Sequence, residues 1–215
     1  MTQTDIPAPR RRGRPPKDEG RLEEARARLL RAGVALLTEK GFGAVGLEEL
    51  LTSVGVPKGS FYYYFASKAD YGLALIDAYA DYFARKLDRS FLDDSRPPLE
   101  RLRAFVADAS AGMARHGFRR GCLVGNLGQE MGSLPEVFRD RLIAVLRDWE
   151  ARTERCLRAA QDAGEISPEA DCARLAGQFW IGWEGAVLRA KLERSERPLM
   201  LFADSFFALL AATRD

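Results

Sequence analysis

Groups that bind metals or carry acid–base chemistry are scarce in this chain. Its only histidine is His116, and its three cysteines, Cys122, Cys156 and Cys172, stand without CxxC or Cys/His ligand spacing. A zinc site and a disulfide scaffold are therefore not expected, and a reducing compartment, the cytoplasm, fits best. No metal and no cofactor is expected. His116 has no nucleophile or carboxylate partner identifiable in the sequence, so an enzyme is not expected either. No run of eighteen apolar residues exists, which argues against a helical membrane span. The first residues are polar and basic without an apolar core, so no secretory signal is expected.

What is present is a balanced, foldable composition: 215 residues, 47% apolar and 30% charged. The net charge is only +2, but it is unevenly spread. Residues 1–68 hold twelve Lys/Arg against eight Asp/Glu, or +4, and residues 69–215 hold twenty-one against twenty-three, or −2. The basic excess lies with the segment whose pattern best suits DNA.

That pattern is helical throughout. Leu22, Ala25, Leu29, Ala32 and Leu36 form one stripe of a first helix over about 21–40, ended by Gly41. Leu47, Leu50, Leu51 and Val54 form a second, short helix, stopped by Gly55, with Pro57 opening a third over 58–65. Two short helices around a Gly-containing turn make a helix-turn-helix. Ser67 is the expected N-cap of a long helix over 68–91. Further helices are expected at 98–115, 118–131, 135–162, 168–193 and 198–213, with Ser133 and Ser167 as start signals. The reading is an all-α chain of about nine helices. It divides into a flexible basic arm at 1–20, a three-helix helix-turn-helix domain at 21–67 and a larger helical domain at 68–215.

In the third helix Phe61 and Phe65 are four apart and should both be core. That leaves Lys58, Gly59, Ser60, Tyr62, Tyr63 and Tyr64 nearer to DNA. The arm carries Arg10-Arg11-Arg12-Gly13-Arg14-Pro15, in which Gly13-Arg14-Pro15 resembles the core of an AT-hook. Arg12 and Arg14 either enter a minor groove or belong to a solvated tail.

Gly41-Phe42, Leu47-Glu48-Glu49-Leu50, Gly55-Val56-Pro57-Lys58-Gly59-Ser60-Phe61-Tyr62-Tyr63-Tyr64-Phe65 and Ser67-Lys68 together resemble the DNA-binding domain of the TetR family of bacterial repressors. The resemblance implies a homodimer that reads a palindromic operator in double-stranded DNA, and a C-terminal domain for dimerisation and for a small-molecule inducer. It also implies that the tyrosine hydroxyls and Lys68 grip phosphates, with Lys58 and Ser60 nearer base edges. Val45-Gly46 departs from the family, which usually has Thr or Ser there. The sign of regulation is not legible: an activator could use the same DNA domain, and a small helical enzyme is the remaining alternative.

Arg119-Arg120-Gly121-Cys122-Leu123-Val124-Gly125-Asn126 and Phe179-Trp180-Ile181-Gly182-Trp183-Glu184-Gly185 resemble a branch that answers acrylate-type compounds and other electrophiles, which implies such a compound or its thioester as the inducer. On that resemblance Cys122 is the leading ligand residue, its thiol acidified if Arg119 and Arg120 approach it; otherwise it is a small buried hydrophobe. Asn126 and Glu130 share its helix face. Phe83, Trp149, Trp180 and Trp183 line the cavity or simply fill the core. The helix over 168–193, apolar round much of its circumference, either pairs with the last helix in a four-helix dimer interface or is buried within one subunit.

Overall fold

A computed structural model describes residues 19–212 as nine α-helices and one 3-10 turn, with no strand among the described residues. Arg12 and Arg14 lie outside the described residues. The helices are α1 (Glu19–Lys40), α2 (Leu47–Ser53), α3 (Phe61–Tyr64, preceded by the 3-10 turn Lys58–Ser60), α4 (Lys68–Phe91), α5 (Pro98–Ala114), α6 (Leu123–Gln129), α7 (Val137–Asp162), α8 (Cys172–Glu193) and α9 (Arg197–Ala212). No helix among the described residues is long and apolar enough to cross a membrane.

The N-terminal punctuation works locally as read. Gly41 and Gly55 take left-handed backbone at φ 87° and 65°, closing α1 and the turn after α2. Gly46 precedes α2 with extended backbone and supplies no side-chain cap. Ser67 Oγ accepts the Asp70 N–H at 3.0 Å and starts α4. The expected third helix is instead a 3-10 turn running into a single α-helical turn, because Phe65 is already extended (φ −141°, ψ 130°).

Three other starts are later than expected. α6 begins at Leu123 rather than 118, because Gly117 and Phe118 both adopt left-handed backbone and Cys122 is extended. α7 begins at Val137, and Ser133 does not cap it; its hydroxyl donates to the Glu130 carbonyl. α8 begins at Cys172, because Asp171 rather than Ser167 is its N-cap, accepting the Arg174 N–H at 3.0 Å.

α4 ties the two ends of the fold together. Its first turns belong to the helix-turn-helix core: Tyr71 is buried against Phe61 and Phe65 and donates to the Leu29 carbonyl at 2.7 Å. Its later turns pack on α5 and α7. There Phe83 meets Trp149 at 4.4 Å between ring centres, and Trp149 meets Trp180 at 4.9 Å. α8 and α9 pack on each other, yet both keep apolar side chains outward. Ile181 and Leu192 of α8 are 78% and 73% exposed, and Leu188, Leu201 and Leu209 are also exposed. Ile181, Gly185, Leu188 and Leu192 follow a four-and-three spacing, so they form one face of α8.

Candidate DNA interface and ligand cavity

Phe61 and Phe65 are buried as the spacing requires, at 0% and 4% exposure. Their burial turns Tyr62 and Tyr63 outward, at 66% and 56% exposure, beside exposed Lys58 and Gly59. Ser60 and Tyr64 are half-buried, and the Tyr63 and Tyr64 rings meet edge-on at 5.6 Å. The short segment thus offers phenols, an ammonium and a hydroxyl on one surface, the mixture that can contact phosphates and base edges together. Lys68 is placed differently. Its ammonium donates to the carbonyls of Phe42 (3.4 Å) and Val45 (3.3 Å) and lies 4.7 Å from the centre of the Phe42 ring. In this arrangement it braces the α1–α2 turn.

The second feature is a cavity of about 190 Å³ between α4, α5, α8 and the loop that ends at Cys122, the N-cap of α6. Phe83, Met113, Trp183 and Val187 form its apolar side; Tyr79, Cys122 and Glu184 form a polar cluster; Lys86, Arg115, His116 and Arg120 stand at its cationic end. Lys86 is paired with Asp108 at 2.8 Å. In the cluster the Tyr79 hydroxyl, the Cys122 thiol and the Glu184 carboxyl are close enough to influence one another's protonation. The backbone N–H groups of Leu123 and Gly125, at the start of α6, favour the ionised forms of Tyr79 and Cys122 respectively, but burial outweighs them. Gly125 is required by this packing: a Cβ there would lie 2.1 Å from Glu184 Oε2.

Burial sets the protonation of this cluster. Glu184 keeps some accessible surface where it borders the cavity, yet the protein packed around it pushes its carboxyl up to about 7. Burial, and then the neighbouring Glu184, push the Cys122 thiol well above its ordinary value. Of the two readings left open for Cys122, this favours the small buried thiol over the arginine-acidified one. Arg119 and Arg120 reach instead toward Glu39 of α1, at 3.7 and 3.8 Å.

Asn126 and Glu130 are also corrected: they do not line the cavity. Helix α6 is so placed that they face α1 and the turn after it. Asn126 Nδ2 donates to the carbonyls of Leu37 and Thr38, each at 3.0 Å. The Glu130 carboxylate accepts the Phe42 N–H at 3.0 Å and the Gly43 N–H at 2.7 Å. Gly121 N–H and Lys191 Nζ add two more donors to the Thr38 carbonyl, at 3.0 and 3.2 Å. These groups satisfy carbonyls that a helix C-terminus leaves without intrahelical partners. Gly41 makes the grip possible, since a Cβ there would lie 2.2 Å from Glu130 Oε1.

Of the four aromatics expected at the ligand, Phe83 and Trp183 line the cavity and Trp149 and Trp180 do not. The latter two are at most 2% exposed and form a second layer behind Phe83, with Trp180 Nε1 donating to Thr153 Oγ1 at 2.9 Å. Tyr79, Glu184, Lys86, Arg115 and Arg120 were missed as cavity residues. Glu184 carried a usable signal: it is the lone acid in the apolar stretch Phe179–Val187, next to inward-facing Trp183.

Comparison with known proteins places these features in a family. Residues 29–71 match the family described as bacterial regulatory proteins, tetR family, and residues 98–206 match the tetracyclin repressor-like C-terminal domain. The transcriptional regulator AcuR of Cereibacter sphaeroides is 57% identical over 205 residues, 95% of this chain and 93% of AcuR. The repressor DhaR of a Mycobacterium species is 30% identical over 191 residues, 88% of this chain and 94% of DhaR. A crystal structure of regulatory protein TetR from Rhodobacter sphaeroides, 60% identical, superposes with a TM-score of 0.83 over 85% of this chain and 96% of that one.

Proposed function

The chain belongs to the TetR family of bacterial regulatory proteins and is a DNA-binding transcriptional regulator, and from that premise we propose that it is a cytoplasmic homodimeric repressor, without catalytic activity, that a small ligand in the Cys122 cavity releases from its operator. The observation that carries this reading is the placement of α6. Its N-terminal end forms the cavity wall at Cys122, and at its other end Glu130 holds the Phe42–Gly43 turn leading into α2.

The dimer is supported by the outward apolar face of α8 and α9, where Ile181, Leu188, Leu192, Leu201 and Leu209 would meet a second copy by two-fold pairing. Such a dimer sets two copies of the 58–64 segment about 34 Å apart, one helical turn of a palindromic operator in double-stranded DNA. Lys58, Gly59, Ser60, Tyr62, Tyr63 and Tyr64 are the contacts proposed within the described residues, and Arg12 and Arg14 are proposed for the flanking minor groove. Lys68 acts in this reading by holding the turn, its charge still near the DNA face.

The cavity selects a small molecule with an apolar or unsaturated end against Phe83 and Trp183 and a polar or anionic end toward Arg115 and Arg120. An acrylate-type acid has that chemistry. Entry disturbs the Tyr79–Cys122–Glu184 cluster, and α6 passes the displacement to the turn. Release follows because the ligand favours a state in which the two recognition segments are wrongly spaced, a coupling of typically 1–3 kcal/mol. The protonated, buried thiol favours a non-covalent inducer. Fluorescence anisotropy on the chain's own upstream DNA tests this with acrylate as the probe. Wild type should lose the operator as acrylate is added, and Cys122→Ser should still release it within a fewfold of the same concentration. No release from wild type contradicts the ligand assignment; release that disappears in Cys122→Ser restores a covalent inducer.

A further inference from the structure

Beside the cavity lies a larger, open basin of about 710 Å³, lined by Glu39, Arg115, His116, Gly117, Arg119, Arg120 and Arg194. It shares Arg115, His116 and Arg120 with the cavity, so these three residues border both spaces. Four guanidiniums face one carboxylate. The C-terminal ends of α1, α5 and α8 converge here, and each offers roughly half a negative charge. Together with Glu39 they offset about two and a half of the four positive charges, leaving the basin positive.

The existing partner is also a poor fit. Glu39 is 3.7 Å from Arg119 and 3.8 Å from Arg120, whereas a well-made guanidinium–carboxylate bond closes to about 2.8 Å. Crowding of cations is felt nearby: burial and then Arg194 hold the Lys191 ammonium below its ordinary value. The chain also accepts unfavourable backbone to build this wall. Phe118 and Arg194, both at φ 54°, are the only non-glycine residues with left-handed backbone among the described residues, and both flank the basin.

We propose that this basin binds a multiply charged phosphate group. One carboxylate would satisfy one guanidinium; four of them arranged around so open a space suit several phosphate oxygens at once. Two sources share that chemistry. The phosphate is either the far end of a thioester whose small acyl group occupies the cavity, or a free polyphosphate bound independently. The shared border favours the tethered form, because Arg115 and Arg120 would lie beside a group held in the cavity as well as beside the basin. The tethered form, and only that form, rests on the cavity being the inducer site.

Isothermal titration of the full chain separates the cases, with acryloyl-coenzyme A, coenzyme A, inorganic pyrophosphate and acrylate as probes. The variant is Arg119→Ala with Arg194→Ala, two exposed residues that line the basin and not the cavity. The expected result is acryloyl-coenzyme A binding at least tenfold tighter than acrylate, with that gain lost in the double variant and acrylate binding unchanged. Equal affinity for coenzyme A with and without the acyl group, again lost in the double variant, supports the basin and assigns it to free phosphate. Phosphate-bearing probes that do not bind, or that bind equally to the double variant, overturn the proposal. Failure of acrylate alone counts against the cavity reading and leaves the basin standing. Thermal melting of the double variant guards against misfolding, and Arg119→Lys with Arg194→Lys should retain part of the affinity.

Discussion

The two ends of α6 use their polar groups in opposite ways. At the Cys122 end, Tyr79, Cys122 and Glu184 cluster at the cavity wall, in surroundings that raise the pKa of all three. At the Glu130 end, Asn126 and Glu130 are bound to backbone carbonyls and N–H groups of α1 and its turn. A ligand can compete for groups of the first kind, because their present partners are other movable side chains. Groups of the second kind are committed: each hydrogen bond to the Glu130 carboxylate is worth about 1.5–3 kcal/mol where the acceptor is charged. The proposed division of a seven-residue helix into a sensing end and a gripping end rests on this contrast.

The largest expected effect that sharpens this contrast lies at Glu184. Burial raises its carboxyl from the ordinary 4.5 to about 7, so between those values the folded chain holds a proton that the unfolded chain has lost. Stability should therefore fall as pH rises through that window, by up to about 3 kcal/mol at 1.36 kcal/mol per pKa unit. Urea midpoints at pH 5 and pH 8 should show the decline in wild type and a flatter profile in Glu184→Gln. A wild-type midpoint that stays level would remove the distinction between the two ends.

A smaller effect is expected at Gly125. Alanine there gains about 1 kcal/mol of intrinsic helix propensity, so a helix built for stability alone would welcome it. Its Cβ would instead meet Glu184 Oε2 at 2.1 Å and displace the carboxyl. Inducer affinity, read by quenching of Trp183, should drop about tenfold in Gly125→Ala while the fold persists. Smaller again is Asn126→Ala, which removes two neutral hydrogen bonds to the end of α1. Its cost should be about 1 kcal/mol in the denaturation midpoint, with inducer binding unaltered.

The helix-turn-helix was legible because its work is done at the surface. Burial of Phe61 and Phe65 follows from their spacing, and what remains on that segment is available to DNA. The long helices were legible for the same periodic reason, and their starts failed where a backbone conformation decided: Phe118 in left-handed geometry shortened α6, and Asp171 outcompeted Ser167 as a cap. The ligand site was only partly legible. Cys122, Phe83 and Trp183 line one cavity, which is one of the two readings left open for them. Asn126 and Glu130 were misplaced because a shared helix face says nothing about which neighbour that face meets. Of the two readings left open for Cys122, burial favours the small buried thiol: adjacency in sequence to Arg119 and Arg120 does not outweigh desolvation and the nearby Glu184 carboxyl.

The central claim is that α6 carries cavity occupancy to the turn before α2. Its most direct test is acrylate-driven release of operator DNA by Glu130→Ala, measured by anisotropy alongside acrylate binding to the same variant. The account predicts that Glu130→Ala binds acrylate and operator much as wild type does, but needs at least tenfold more acrylate to release the DNA. Release at the wild-type concentration would contradict it.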